Sequence, residues 1–249
     1  MRIITVPCLS DNYAYLIQEG DSCAVVDPSE AAPVKAALAR EGLKLTHILN
    51  THHHGDHVDG NLELKAQFGA LVVGAEKDTH RIPGIDVGVG EKTGWQFAGL
   101  PVAVLEVPGH TLGAITYVIA GNAFTGDTLF SCGCGRMFEG DAQMMWDSLT
   151  KLMTLPDETL LWCGHEYTEK NASFALTLEP ENQALRMFTQ VVRQARAAGR
   201  PSMPSTMKLE KIVNPMLRPD SPAIRKTLGM EKADDVQVFA EVRRRKDSY

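Results

Sequence analysis

Within Thr51-His52-His53-His54-Gly55-Asp56-His57, the side chains of His52, His54, Asp56 and His57 are all suited to gripping divalent cations. Folding alone gives no reason for such density. Side chains on an extended chain alternate between faces, so His52 and His54 point the same way and can share one ion. His53 falls on the opposite face and stands outside the ligand set. Asp56 and His57 follow where the chain must turn into a helix, and they can reach a second ion beside the first. The spacing reads as a two-metal site.

One loop cannot complete two coordination spheres, because zinc-like ions take about four ligands each and a catalytic ion reserves one position for water. Three further donors each end a strand-like apolar run: His110 after residues 101–108, Asp127 after 117–125 and His165 after 159–163. A glycine precedes each, as Gly109, Gly126 and Gly164. Glycine accepts positive φ and close backbone approach, which strand-end loops around one cleft require. The resulting seven donors are all nitrogen or oxygen, unlike the cysteine-rich tetrahedra of structural zinc. Two divalent metal ions are expected, zinc first and Fe(II) or Mn(II) as alternatives.

Short β-rich runs alternate with helices, as a layered α/β architecture requires. Residues 3–6, 13–18 and 23–26 read as an opening meander. A helix follows, with Ser29 as its cap, Pro33 in the first turn, Val34 and Leu38 on one face and Gly42 at the stop. Residues 47–50 form the strand that enters the metal loop, 58–68 a helix and 71–74 a strand, with further strands across 95–127. Asp141 caps a helix carrying Met145, Leu149 and Leu152 before Pro156. Asp27 ends a strand, where it could orient a metal-bound histidine or cap the next helix. After His165 the chain turns helical, most clearly over 182–198, where Leu185, Phe188, Val192 and Ala195 repeat at helical spacing.

At 249 residues the chain can bury a substantial core. Its net charge of −6 disfavours nucleic acid as a partner, because phosphate binding relies on excess basic charge. Nothing reads as a membrane span, and the N-terminus reads as a strand rather than a signal peptide. The five cysteines form no paired framework and suit a reducing compartment, so a cytoplasmic monomer is expected. Cys132-Gly133-Cys134 lacks the spacing of a redox motif and reads as packing.

The T-H-x-H-x-D-H pattern with its later His, Asp and His resembles the metallo-β-lactamase superfamily. That resemblance implies a four-layer αββα sandwich over residues 1–165. It assigns His52, His54 and His110 to one metal, Asp56, His57 and His165 to the other, and the Asp127 carboxylate to both. Four more segments narrow the family: 133–140, 163–168, 204–215 and 243–247. With the opening Asp11-Asn12-Tyr13, they resemble glyoxalase II, the hydroxyacylglutathione hydrolases, and imply that 166–249 is a mainly helical substrate-binding domain.

The implied reaction is hydrolysis of S-D-lactoylglutathione to glutathione and D-lactate, the second step of methylglyoxal detoxification. Two metals can share a water and lower its pKa toward about 7, so that hydroxide held with Asp56 and Asp127 is the nucleophile. A thiol of pKa about 8.5 leaves as thiolate without a dedicated acid. The resemblance places Arg136, Phe138, Tyr167, Arg243 and Lys246 on glutathione, Arg243 and Lys246 at its carboxylates. Phe138 stands where many relatives have tyrosine, and Asp59 and Cys132 where they have glycine. Competing readings are a persulfide dioxygenase with one iron, a β-lactamase and a metal-stabilised binding module.

Overall fold

A computed structural model describes the whole chain, residues 1–249. The chain packs as two compact units, one of Met1–Glu106 with Gly113–Gly126, the other of Val107–Leu112 with Asp127–Tyr249. Residues 127–165 thus fold with the C-terminal helices, and packing partitions the chain differently from a division at 165/166.

The first unit contains β1 (Arg2–Cys8), β2 (Asn12–Glu19), β3 (Ser22–Val26), α1 (Ala31–Glu41), β4 (His47–Leu49), α2 (Gly55–Val58) and α3 (Asn61–Phe68). It continues with β5 (Leu71–Ala75), β6 (Val87–Val89), β7 (Trp95–Phe97), β8 (Leu100–Glu106), β9 (Ile115–Ile119) and β10 (Asn122–Gly126). Strands β1 to β6 lie in sequence order, antiparallel through β3 and parallel from β3 to β6. Strands β7 to β10 form an antiparallel meander.

Alternation along the strands decides what each face meets. Leu16, Val25, Ile48 and Val72 pack with Val34, Leu38 and Leu64 of α1 and α3. On the opposite face Tyr15 meets Phe124 at 5.9 Å, and the Tyr117 hydroxyl donates to the carbonyls of Asn50 and Val73. One helix layer therefore covers a sheet that faces a second sheet. Strand β2 is apolar at successive positions because both of its faces are covered.

The outcome departs from three sequence expectations. Ser29 does not cap α1; the cap position is Glu30, without a side-chain bond, although Gly42 does end the helix in left-handed conformation. The helix expected over 58–68 breaks into α2 and α3 where the Gly60 amide donates to the Pro28 carbonyl at 2.9 Å, and a Cβ at Gly60 would come 2.7 Å from that oxygen. The run 117–125 is two strands, since Ala120 and Gly121 both take positive φ, as a two-residue hairpin turn demands.

The second unit holds β11 (Leu129–Phe130), β12 (Gly133–Cys134), α4 (Ala142–Leu152), β13 (Leu160–Cys163), α5 (Thr168–Leu178) and α6 (Gln183–Ala197). It ends with β14 (Ser205–Thr206), α7 (Met207–Val213), α8 (Pro222–Leu228) and α9 (Asp235–Asp247). Asp141 caps α4 through the Met144 amide, and Met145, Leu149 and Leu152 are buried as expected. Of the α6 stripe, Leu185 and Val192 are fully covered, and Phe188 packs against a cluster with Cys132, Ala172 and Val213.

A buried carboxylate anchors this unit. Glu210 accepts hydrogen bonds from the hydroxyls of Ser131 and Ser205, the Cys132 amide and the Asn214 side chain. Burial raises its pKa. It holds residues 131–132 against α7, and Cys132 there adopts φ 57, which explains why glycine would be easier at that position. Glu210→Ala strands these donors in a dry interior and is expected to cost about 3–5 kcal/mol of stability, read from chemical denaturation midpoints. A loss below about 1 kcal/mol would contradict the anchoring role.

Candidate active site

Four of the expected metal ligands lie together in the first unit. Strand β4 ends at Leu49, and Asn50 and Thr51 lead into the histidine run, which enters α2 with His54 as its N-terminal boundary. The rings of His52 and His54 meet edge-on with centroids 4.8 Å apart, and those of His52 and His57 lie 4.2 Å apart. His57 Nε2 is 3.6 Å from Asp56 Oδ2. His53 turns elsewhere: its Nδ1 faces Asp78 at 3.2 Å, and Asp78 also holds Arg81.

Asp27 fixes the orientation of this group. Its carboxylate accepts from the Thr51 amide at 2.8 Å, the Thr51 hydroxyl at 2.6 Å and His57 Nδ1 at 3.0 Å. An ionised carboxylate only accepts, so the His57 proton sits on Nδ1 and the lone pair on Nε2. Thr51 gives its hydroxyl proton to Asp27, so its oxygen accepts from His52 Nδ1 at 3.1 Å, and the lone pair of His52 also falls on Nε2. The donor atoms of Asp27, His52 and His57 all lie within 4.8 Å of one another, but these hydrogen bonds make Asp27 the residue that positions the imidazoles. It does not cap α1.

The other three donors gather in the second unit. His110 Nε2 is 3.5 Å and His165 Nε2 3.2 Å from the same oxygen, Asp127 Oδ2. All three residues are buried. The Arg136 carbonyl accepts from His110 Nδ1 at 2.8 Å, so here too the ring presents Nε2 as its basic atom. His165 stacks on Tyr167, centroids 4.8 Å apart and planes 5° from parallel, with Phe130 edge-on against both. Three imidazoles with Nδ1 engaged and two of their Nε2 atoms turned toward carboxylate oxygens make a donor set that fits divalent cations.

Glycine meets its expected role only in part. Gly109 and Gly126 take φ 148 and 49, whereas Gly164 is not among the positive-φ residues. A Cβ at Gly126 would overlap the Thr51 hydroxyl at 2.2 Å. Gly135 is as constrained: a Cβ there would lie 1.9 Å from the Asp127 carbonyl oxygen and 3.1 Å from His110 Nδ1.

A cleft of about 430 Å³ in the second unit is lined by Arg136, Phe138, Tyr167, Arg243 and Lys246 together with His110 and Asp127. Arg243 is buried, donating to the Cys134 carbonyl at 2.7 Å and to Asp247 at 2.8 Å. Arg136 Nε lies 3.3 Å from the same Asp247 oxygen. Lys246 lies over the rings of Phe174 and Tyr249. Burial, then the charges of Arg243 and Lys170, lower the Lys246 pKa to about 8. Phe138 is 64% exposed, its ring edge-on to His110. Its apolar surface is therefore open to whatever enters the cleft.

Two site features escaped the sequence reading. Asn12 donates from Nδ2 to both the carbonyl and the Oδ2 of Asp56, at 3.0 and 3.1 Å, and its place in the opening Asp11-Asn12-Tyr13 was the available signal. Lys170 also lines the cleft, with no sequence signal beyond its position one turn after Tyr167. The cysteines take no part: all five are unpaired and buried, and burial pushes the Cys163 thiol up to about 12.

Residues 10–165 match the Metallo-beta-lactamase superfamily and residues 166–249 the Hydroxyacylglutathione hydrolase C-terminus. A hydroxyacylglutathione hydrolase of Ruegeria pomeroyi is 50% identical over 100% of this chain and 99% of its own. One of Methylococcus capsulatus shows the same identity and coverage. Among solved structures, ETHE1 from Myxococcus xanthus superposes with a TM-score of 0.71 at 27% identity, covering 98% of this chain and 90% of that one. The fold is that of the metallo-β-lactamases, with a C-terminal helical domain.

The hydrogen bonds of Asp27 generate a direct expectation. Asp27→Asn cannot accept from three donors at once and should weaken divalent-metal affinity about 10- to 100-fold, measured by chelator competition. Unchanged affinity would reduce Asp27 to a packing role.

Proposed function

Because the chain belongs to the hydroxyacylglutathione hydrolase family of the metallo-β-lactamase superfamily, we propose that it hydrolyses glutathione thioesters of 2-hydroxy acids, S-D-lactoylglutathione foremost, in the second step of methylglyoxal detoxification. One observation carries this reading: the cleft that contains His110 and Asp127 is also lined by Arg136, Arg243 and Lys246. A substrate with two carboxylates needs such a cationic lining on a chain of net charge −6. The division at 165/166 into hydrolase and substrate-selecting domains belongs to the same reading.

We assign His52, His54 and His110 to one divalent cation, Asp56, His57 and His165 to a second, and the Asp127 carboxylate to both. Zinc is the first choice for this nitrogen and oxygen set, with iron or manganese as alternatives. Two such cations supply Lewis acidity and lower the pKa of water. The protein's own part is to present Nε2 atoms and carboxylates without reorganisation. Asp27 and the Arg136 carbonyl hold the imidazole tautomers, and the Asn12 amide holds the Asp56 carboxylate. Tyr167, stacked on His165, and Phe138, beside His110, give the thioester an apolar wall. Attack of water forms the new C–O bond and breaks C–S. The thiolate needs no acid to depart and takes up the proton afterwards. The five unpaired thiols fit a reducing compartment, and we place the enzyme in the cytoplasm as a monomer.

Hydrolysis of S-D-lactoylglutathione, assayed beside lactoyl thioesters without the glutathione moiety and with metal content measured, tests the reading. Selective cleavage with two metals per chain is expected. Oxygen consumption with one iron per chain would replace it with the dioxygenase reading, and no turnover of any substrate with the binding-module reading. The cleft electrostatics add a pH expectation. Lys246 carries its charge below about 8 and loses it above, and a carboxylate binds the charged form. The Michaelis constant should therefore rise between about pH 7 and about pH 9. A flat profile would remove Lys246 from substrate binding.

A further inference from the structure

The cleft of the second unit contains one more cation than the substrate contacts assigned so far. Arg243 is buried and committed to the Cys134 carbonyl and to Asp247, which Arg136 also approaches. Lys246 rests on two aromatic rings. Lys170 lines the same cleft, is exposed, and makes no hydrogen bond or ion pair with the protein. It stands on α5 one turn after Tyr167, near enough to Lys246 for its charge to disfavour a second ammonium there.

Charge balance gives this arrangement a meaning. Arg136, Lys170, Arg243 and Lys246 share the cleft with two carboxylates, Asp247 and Asp127, and Asp127 is the one assigned to the metals. Repulsion of the Lys246 ammonium by Arg243, Lys170 and Arg136 raises the free energy of the empty cleft, and anionic ligands relieve it. A glutathione moiety carries two separated carboxylates, one on its glycine and one on its γ-glutamyl end. A single cluster around Arg243 and Lys246 accounts for only one of them.

We propose that Lys170 is a specificity-determining residue that binds the second carboxylate of the glutathione moiety, the one not held by Arg243 and Lys246. This rests on the hydrolase reading above. The residue acts on binding and touches neither the thioester nor the donors assigned to the metals. A partly exposed pair of this kind changes affinity several-fold rather than by orders of magnitude.

The test uses the intact, metal-loaded chain and three substrates: S-D-lactoylglutathione, its glycinamide, which lacks the glycine carboxylate, and S-lactoyl-N-acetylcysteinylglycine, which lacks the γ-glutamyl carboxylate. Lys170→Gln should raise the Michaelis constant for the full substrate about three- to tenfold, with turnover within about twofold. Lys170→Arg should restore most of the loss. The Lys170→Gln penalty should vanish on one truncated thioester and that of Lys246→Gln on the other. An unchanged Michaelis constant in Lys170→Gln, a loss confined to turnover, or penalties that vanish on the same truncated thioester would each overturn the assignment. If the wild-type chain cleaves none of the three, the hydrolase reading itself falls.

Discussion

The hydrogen bonds around Asp27 are the constraint on which the first unit's donor cluster depends. A buried carboxylate is costly unless its lone pairs are used. Here two oxygens take the Thr51 amide, the Thr51 hydroxyl and His57 Nδ1. The hydroxyl passes the constraint on to His52. One carboxylate thus sets the tautomer of two imidazoles and the path of the backbone entering the histidine run. Its own backbone sits at φ 48, an unfavourable region for a non-glycine residue that costs on the order of 1 kcal/mol and persists because these bonds over-determine it.

A second buried acid does comparable work in the other unit. Glu210 pins the 131–132 segment, and β12, which follows at once, offers the Cys134 carbonyl to Arg243. The two arrangements differ in purpose. Asp27 orients the imidazoles proposed as cation ligands, whereas Glu210 shapes the wall from which the cationic cleft is built.

Local charge in that cleft opposes the charge of the whole. The chain is net acidic, yet four cationic side chains share one small cavity. Their mutual repulsion is what depresses Lys246 beyond the effect of burial alone. On the proposed function, such a site selects by the number and spacing of carboxylates. Phe138 in place of a hydroxyl-bearing ring leaves more of that discrimination to charge.

Residue type and spacing were enough to pick out the candidate donors. His52, His54, Asp56 and His57 stand out because no folding requirement packs them so densely, and alternation along an extended chain places His53 on the other side. The helix capped by Asp141 was legible for the same reason: capping is a local interaction, written within four residues. Other features depend on groups distant in sequence and were decided only by tertiary structure. Whether Asp27 caps a helix or holds His57 turned on a partner thirty residues away. The break at Gly60 falls where its amide meets the Pro28 carbonyl, and the need for glycine at 135 came from Asp127 and His110. Lys170 gained its place from α9, far along the chain, because a lone lysine carries no periodicity and acquires meaning only through the charges that folding sets beside it.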